Sequence, residues 1–473
     1  MTNLQLNLLS LFFLIFGISI RFYNLEFQSF WMDELFSILI ASKSSLAEVL
    51  SAHQIETNPP FHTIFLFYWI RFFGDSVFAI RLSSAIVGIL NLLLLFYLVI
   101  KPKYFSKRIY LYSMILFSTC LGGLFYSQEV RAYSLLMCFS LIFILNFNSM
   151  LFQIYEDKSI KWITILSLFL FSLLLSYTHY FGFILSGVGL LILFFHSILK
   201  FNIKKILTII AIGSLLILGY SSEILKLISL DTGRVNWIPS PNLLIYLEFL
   251  NYIFYFLKGK YFLYFLILFL ITFLISIIKK KTEVGAAIEK KIIYSYCMMI
   301  LLVITLTFIV SQFKPIVTAR NLLVLIFPLL FIFSYLLNII KFRRKYIIDF
   351  LIVIFSLYMF FQFYRDYLKP HKTDFKSLAQ FCIKPQYEDF KLYAKGSQDF
   401  YNYYLKQSNS SKRVEALPPL TNLNIKELPD KFILLEADLL VEPTELDLKL
   451  LNQSHLKSEN DFLGTKAFVY TLK

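Results

Sequence analysis

LSSAIVGILNLLLLFYLVI (82–100), KPKYFSKR (101–108) and IYLYSMILFSTCLGGLFY (109–126) follow one another without a break. The first and third stretches are almost wholly apolar and of the length a helix needs to cross a bilayer, about 20 residues. The middle stretch gathers Lys101, Lys103, Lys107 and Arg108 with no acid. Two membrane helices joined by a basic turn satisfy every backbone group internally, which hydrocarbon demands.

The composition carries the same reading to the whole chain. Of 473 residues, 58% are hydrophobic and 16% charged, and mean hydropathy is +0.69. Soluble domains average about 45–50% apolar and about 25% charged, so a soluble globular class is excluded. The net charge of +15 suggests a nucleic-acid binder until its placement is examined. Residues 1–364 hold 29 Lys and Arg against 15 Asp and Glu, whereas residues 365–473 hold 16 against 15. The excess lies between apolar segments, where it sets membrane orientation, and no nucleic-acid partner is expected. Four cysteines, three of them in apolar runs, show neither metal spacing nor a disulfide framework. Residues 4–20 lack a basic leader and a small-residue cleavage site, so they read as a retained first helix.

Eleven spans are expected, near 4–21, 82–100, 109–126, 132–151, 161–178, 181–199, 206–222, 261–278, 292–311, 321–340 and 346–364. FHTIFLFYWIRFF (61–73) and residues 242–257 are too short and too polar to span, and fit interfacial helices. Five alternate connections (101–108, 156–161, 200–205, 279–291 and 341–345) hold 18 Lys and Arg and four acids. The positive-inside rule then puts these connections and the N-terminus in the cytoplasm. With eleven spans, the tail lies outside.

Two outer regions depart from hydrophobic matching. The first loop, 22–81, carries FWMDELF (30–36), a capping-box start at Ser45 and Glu48, and an extended turn at Asn58-Pro59-Pro60. The tail has soluble composition: FKLYA, KFILLEA and KAFVYTL read as strands, and TDFKSLAQF, QDFYNYYLK and TELDLKLLN as helices. The expected organisation is a transmembrane catalytic domain (1–364) and a small extracytoplasmic α/β domain (365–473).

Ionisable residues gather at the outer boundary: Asp33 and Glu34, Glu56, Glu129 and Arg131, His179 and Arg320. Each has an ordinary structural reading. Asp33 and Glu34 suit a helix start, Glu129 and Arg131 a weak surface pair, and Arg320 a side chain snorkelling to the headgroups. Together they suit chemistry at a membrane-anchored phosphate. A carboxylate can deprotonate an acceptor, while arginines bind two phosphate oxygens at once and stabilise the departing charge.

WMDE (31–34), ETNPPF (56–61), FGDSVFAIRLSSAIVGIL (73–90), YSQEVRAYSLL (126–136), THYFG (178–182), NWIPSP (236–241) and ARNLLVLIFP (319–328) occur in this order. The set resembles the polytopic GT-C glycosyltransferases over about residues 1–330. Within them it is most similar to bacterial members of the protein O-mannosyltransferase and lipid A aminoarabinose transferase superfamily, the RgtA/B/C/D-like proteins. That resemblance implies transfer of a sugar from a polyprenyl-phosphate carrier to an acceptor at the extracytoplasmic face. It implies Asp33 as catalytic base, with Glu34 beside it as structural or acceptor-orienting. Glu129 and Arg131 match positions near the donor phosphate, and His179 and Arg320 match polar positions near the same pocket. Glu56, Asn58 and Tyr133 fall inside matching motifs as substrate-binding candidates. Trp237 reads either as a sugar-stacking residue or as an interfacial anchor. Asn321 departs from the Tyr that often follows the arginine in the family. Some relatives place a divalent metal near the first-loop carboxylate; no His/Cys cluster here demands one, and metal dependence stays open.

The leading expectation is a multi-pass glycosyltransferase of a bacterial inner membrane. Its partners would be a polyprenyl-phosphate-linked sugar donor, a protein, lipid A or surface-glycan acceptor, and membrane lipids. A lipid-linked sugar transporter or flippase would instead place charge near the bilayer midplane and show repeats. An inactive glycosyltransferase-like subunit is the third reading, disfavoured by the retained acids and arginines.

Overall fold

The computed structural model describes residues 1–229, 238–255, 284–340, 346–394, 398–417, 429–437 and 455–471. The chain divides into two compact units. A membrane unit holds Met1–Tyr23, Leu50–Phe65 and Arg81–Asp366; an α/β unit holds Asn24–Val49, Leu66–Ile80 and Tyr367–Lys473. The first outer loop is thus shared between them.

In chain order the first helices are α1 (Asn3–Phe22), α2 (Met32–Ala41), α3 (Leu46–Ala52), α4 (Phe61–Phe73), α5 (Val77–Ile100), α6 (Lys107–Thr119), α7 (Leu121–Phe125), α8 (Tyr133–Tyr155) and α9 (Trp162–Thr178). They are followed by α10 (Tyr180–Leu199), α11 (Ile203–Gly219), α12 (Ser221–Ser229), α13 (Leu243–Asn251), α14 (Val284–Phe313), α15 (Ile326–Ile339), α16 (Tyr346–Tyr367), α17 (Phe375–Cys382) and α18 (Gln398–Gln407).

Among the described residues seven helices are long and apolar enough to cross a membrane, which makes the chain a polytopic α-helical membrane protein. They correspond to expected spans 4–21, 82–100, 132–151, 181–199, 292–311, 321–340 and 346–364. Three expected spans differ. Residues 161–178 and 206–222 become the shorter α9 and α11. Residues 109–126 break at Cys120, whose backbone is extended, and restart as α7 with the Cys120 sulfur capping Gly123. The Gly122 amide, in the first turn of α7 where no intrahelical acceptor exists, donates to the Tyr252 carbonyl. The span expected at 261–278 lies outside the described residues.

The core of the membrane unit is aromatic and aliphatic, with α6 buried from Ile109 to Thr119. Polar side chains inside it pair with one another, because hydrocarbon supplies no water. Arg108 grips the buried Asp349 with two hydrogen bonds of 3.0 and 3.2 Å, and Tyr112 donates to the same carboxylate. Asn148 and Tyr296 exchange hydrogen bonds, and Ser113 meets Ser334 at 2.9 Å.

The α/β unit is built on a five-stranded sheet: β1 (Lys391–Ala394), β2 (Val414–Ala416), β3 (Lys431–Ala437), β4 (His455–Phe462) and β5 (Thr465–Thr471), in the order β2-β1-β3-β5-β4. β1 runs parallel to β2 and β3, while β5 is antiparallel to β3 and β4. β1, β3 and β5 are the strands their apolar residues predict. β2 is three residues long and β4 is mostly polar, so neither has a readable period. α17 and α18 form where expected; TELDLKLLN lies outside the described residues.

Candidate active site

Four connections of the membrane unit build the site, the last being the α9–α10 junction at His179, and the SQEVRAY loop between α7 and α8 is its anchor. Arg21, wholly buried near the end of α1, donates to the carbonyls of Gly17, Phe117, Ser118 and Gly123 and to the Ser127 hydroxyl. Phe117 and Ser118 close α6, so a fixed fork of guanidinium donors meets carbonyls that the helix end leaves unpaired. In return the Gln128 amide donates to the carbonyls of Ile20, Arg21 and Tyr23 and caps α1. Gly88 of α5 lies under this junction, where an added Cβ would fall 2.0 Å from the Ser127 hydroxyl oxygen. Close approach of this kind is what small residues at membrane helix contacts permit.

The ETNPP turn is the second piece. One oxygen of Glu56 accepts from the Thr57 and Asn58 amides and from both of their side chains. Its other oxygen lies 3.8 Å from an Arg131 nitrogen, and both side chains are nearly buried. The Asn58 carbonyl faces His53 Nε2 at 2.9 Å, which puts the ring proton there. His53 Nδ1 is left to accept from the Thr63 hydroxyl at 3.1 Å.

Arg320, at the head of the turn Asn321–Leu325, supplies the third piece. Its guanidinium carbon sits 5.9 Å from the centre of the Tyr133 ring. The Tyr133 hydroxyl donates to Asn321, and the Tyr133 and His179 rings lie 5.9 Å apart. His179 caps α10 by accepting from the Phe181 amide. Burial, then the charges of Arg131 and Arg320, push its imidazole down to about 3, against the hydrogen bond to Asn321. His62 is also pushed down to about 3, by burial and then by Arg131 and His53. Both histidines are therefore neutral at physiological pH, and the cations of this site are the arginines. Glu129, 1% exposed, lies in electrostatic reach of Tyr126 and Tyr252, and Arg320 also reaches Tyr252.

Glu56, Asn58, Glu129, Arg131, Tyr133, His179 and Arg320 thus form one connected neighbourhood within the membrane unit. Trp237 lies outside the described residues.

Asp33 and Glu34 belong to the α/β unit, in the first turn of α2. Glu34 is fully buried, accepts from the Trp31 amide and pairs with Lys372 at 2.9 Å. Asp33 is only partly buried. The strand-like approach to α2 is tied to the residues after α16: Gln28 accepts from the His371 and Lys372 amides, and Ser29 from that of Lys376. The Phe30 amide reaches the Tyr404 hydroxyl of α18. The start-of-helix reading therefore describes Glu34, whose carboxylate is committed to holding the chain, whereas Asp33 keeps access to solvent.

Among the described residues no three His, Cys, Asp or Glu side chains form a metal-binding group. Arg21, Gln128, His62 and Lys372 escaped the sequence reading. Arg21 alone carried a signal, as a cation near the end of a membrane-length helix; the others needed their partners to be visible.

No protein-family model and no curated protein matches the sequence. Solved structures do. ArnT from Cupriavidus metallidurans bound to undecaprenyl phosphate matches at a TM-score of 0.58 and 9% identity, covering 97% of this chain and 97% of that chain. The apo state of the same protein matches over the same extent with a TM-score of 0.45 and 9% identity. The S. cerevisiae protein O-mannosyltransferase Pmt1-Pmt2 complex bound to the sugar donor matches 55% of this chain and 38% of that chain, at 18% identity and a TM-score of 0.35. The first of these carries the fold. Over nearly its whole length, this chain shares the fold of ArnT.

Proposed function

We propose that the protein is a glycosyltransferase that takes a sugar from a polyprenyl-phosphate carrier at the outer face of a bacterial inner membrane. The observation that carries this reading is the gathering of Arg131 and Arg320 around neutral His179, with Glu56 and Tyr133. Two always-charged planar forks beside one another suit a phosphate that becomes more negative as its sugar leaves. That the ArnT structure sharing this fold holds undecaprenyl phosphate supports the same ligand class.

In this reading an acceptor hydroxyl attacks the anomeric carbon while the bond from that carbon to the phosphate oxygen breaks. The acceptor proton passes to the Asp33 carboxylate, and the arginines hold the polyprenyl phosphate that departs. Partial exposure of Asp33 and the Lys372 pairing of Glu34 favour Asp33 over Glu34 for this task. In the same reading the acceptor is a protein, lipid A or a surface glycan, and the basic loops support an N-terminus in the cytoplasm with the C-terminal domain outside.

Incubating the purified protein with a panel of polyprenyl-phosphate sugars tests the reading. Release of polyprenyl phosphate, lost in Arg131→Ala, supports it. An Arg131→Ala variant that turns over every donor as the wild type does would remove the phosphate clamp on which it stands.

A further inference from the structure

Beside Glu56 the membrane unit holds a second polar cluster that the phosphate reading leaves unused. The hydroxyls of Tyr180 and Tyr220 and one carboxylate oxygen of Glu223 are buried without a hydrogen-bond partner among the described residues. Tyr220 is 1% exposed. Its ring is stacked on Phe183 at 4.7 Å and set edge-on to Tyr177 at 5.3 Å, so it cannot swing out to find water. Tyr180 begins α10, directly after His179, while Tyr220 and Glu223 lie at the α11–α12 junction. The Tyr180 hydroxyl is in electrostatic reach of both Glu223 and Glu56, and the Tyr220 hydroxyl of both Tyr180 and Glu223. The cluster therefore adjoins the ETNPP turn on one side and the His179 cap on the other.

A buried polar atom without a partner forfeits the hydrogen bond water would have given it, and native structures keep few of them. Three from two separate parts of the chain, meeting next to a candidate phosphate clamp, call for an occupant bearing several hydrogen-bonding groups. Tyrosine hydroxyls donate and accept, whereas a carboxylate only accepts. Hydroxyls, which do both, complement this mixture. A phosphate only accepts and leaves Glu223 without a donor; charge decides less, since Lys226 is in electrostatic reach of Glu223 and Arg131 lies 3.8 Å from Glu56.

We infer that Tyr180, Tyr220 and Glu223 form the subsite for the hydroxyl groups of the donor's sugar ring, distinct from the arginines that take its phosphate. This rests on the donor reading above and adds to it the residues that tell a glycosylated carrier from a spent one. Product release follows from the same division: once the sugar has gone, the carrier keeps its arginine contacts and loses these.

The test compares the thermal shift of the purified protein with undecaprenyl phosphate, undecaprenyl phosphate mannose and undecaprenyl phosphate glucose. Variants are Tyr220→Phe, Tyr180→Phe and Glu223→Gln, each nearly isosteric. The expected result is a larger shift of the wild type with at least one sugar-bearing lipid than with the sugar-free one. Each variant should then lose about tenfold or more in apparent affinity for that lipid, the scale of one lost hydrogen bond, and keep its affinity for undecaprenyl phosphate. Equal wild-type shifts with all three lipids, or variants with unchanged preference, would overturn the subsite and leave the phosphate clamp standing; buried water would then be the occupant. No shift of the wild type with any of the lipids would overturn the donor reading together with the subsite.

Discussion

Lys372→Met is expected to loosen α2 strongly, and Glu34→Gln placed on top of it to restore most of the loss. Glu34 is fully buried, Lys372 is 8% exposed, and their charged atoms lie 2.9 Å apart. At an effective dielectric near 20 the attraction across that distance is roughly 5–6 kcal/mol, set against the desolvation of both ions. Removing the cation takes the ion-pair partner from a buried carboxylate, a change that costs about 3–5 kcal/mol. Removing both charges leaves a neutral amide that keeps its bond from the Trp31 amide, within about 1 kcal/mol of the wild type by the same principle. Hydrogen–deuterium exchange over residues 28–41 is the assay, since it reads local opening rather than a global transition. A 3–5 kcal/mol loss corresponds to roughly a hundred- to several-thousand-fold faster exchange in Lys372→Met. A double variant as loose as Lys372→Met, or Lys372→Met indistinguishable from wild type, would refute the assignment of Glu34 to structure and reopen it for chemistry.

The other expectations are direct. Asp33→Asn should abolish sugar transfer while exchange across α2 stays at wild-type rates; retained turnover would remove it from the base role. Arg131→Lys should bind the donor more weakly than wild type but better than Arg131→Ala, because a point charge replaces part of a two-pronged contact; donor titration measures this. Arg21→Met should lower the unfolding temperature of the purified protein, since it takes a buried donor from the carbonyls of Phe117, Ser118 and Gly123. Of these only Phe117 and Gly123 keep a side-chain donor, the Cys120 thiol and the Ser127 hydroxyl; the unsatisfied group costs about 1–3 kcal/mol. The two buried histidines give a pH signature. His62 and His179 are held at about 3 in the fold, whereas unfolded histidine titrates near 6.5. Between those values the unfolded chain binds more protons, so stability is full above about 6.5 and falls below it, by up to about 1.4 kcal/mol per pH unit for each histidine. Melting from pH 7.5 to 4.5 should show that slope, and His179→Asn should flatten it.

How much of this was legible in the chain varies by residue. The apolar runs and basic loops suffice for a polytopic helical membrane protein, because a bilayer imposes length and charge rules that act segment by segment. KLYA, KFILLEA and TKAFVYT are legible as strands for a similar reason: their burial follows from their own apolar residues. The seven helices that meet the span criterion lie where apolar length put them, whereas the break at Cys120 was hidden, and the Gly122 amide just beyond it finds its acceptor on Tyr252, in a distant stretch. Glu34 and Asp33 look equivalent in WMDE; only the Lys372 ammonium, 338 positions away, separates them. Gln128, which caps α1, was likewise invisible, and Arg21 was legible only as a cation near the end of a membrane-length helix.

What the sequence determined by itself is the solvent of each segment, membrane or water, together with the residue types set at its outer boundary. Tertiary structure alone decided which of those residues meet: Arg131 with Glu56, Arg320 with Tyr133, Glu34 with Lys372. The reason is range. Hydrophobicity and helix length are properties of consecutive residues, while a charge pair or a shared hydroxyl is a property of two places in the chain, fixed only when packing brings them within a few ångströms.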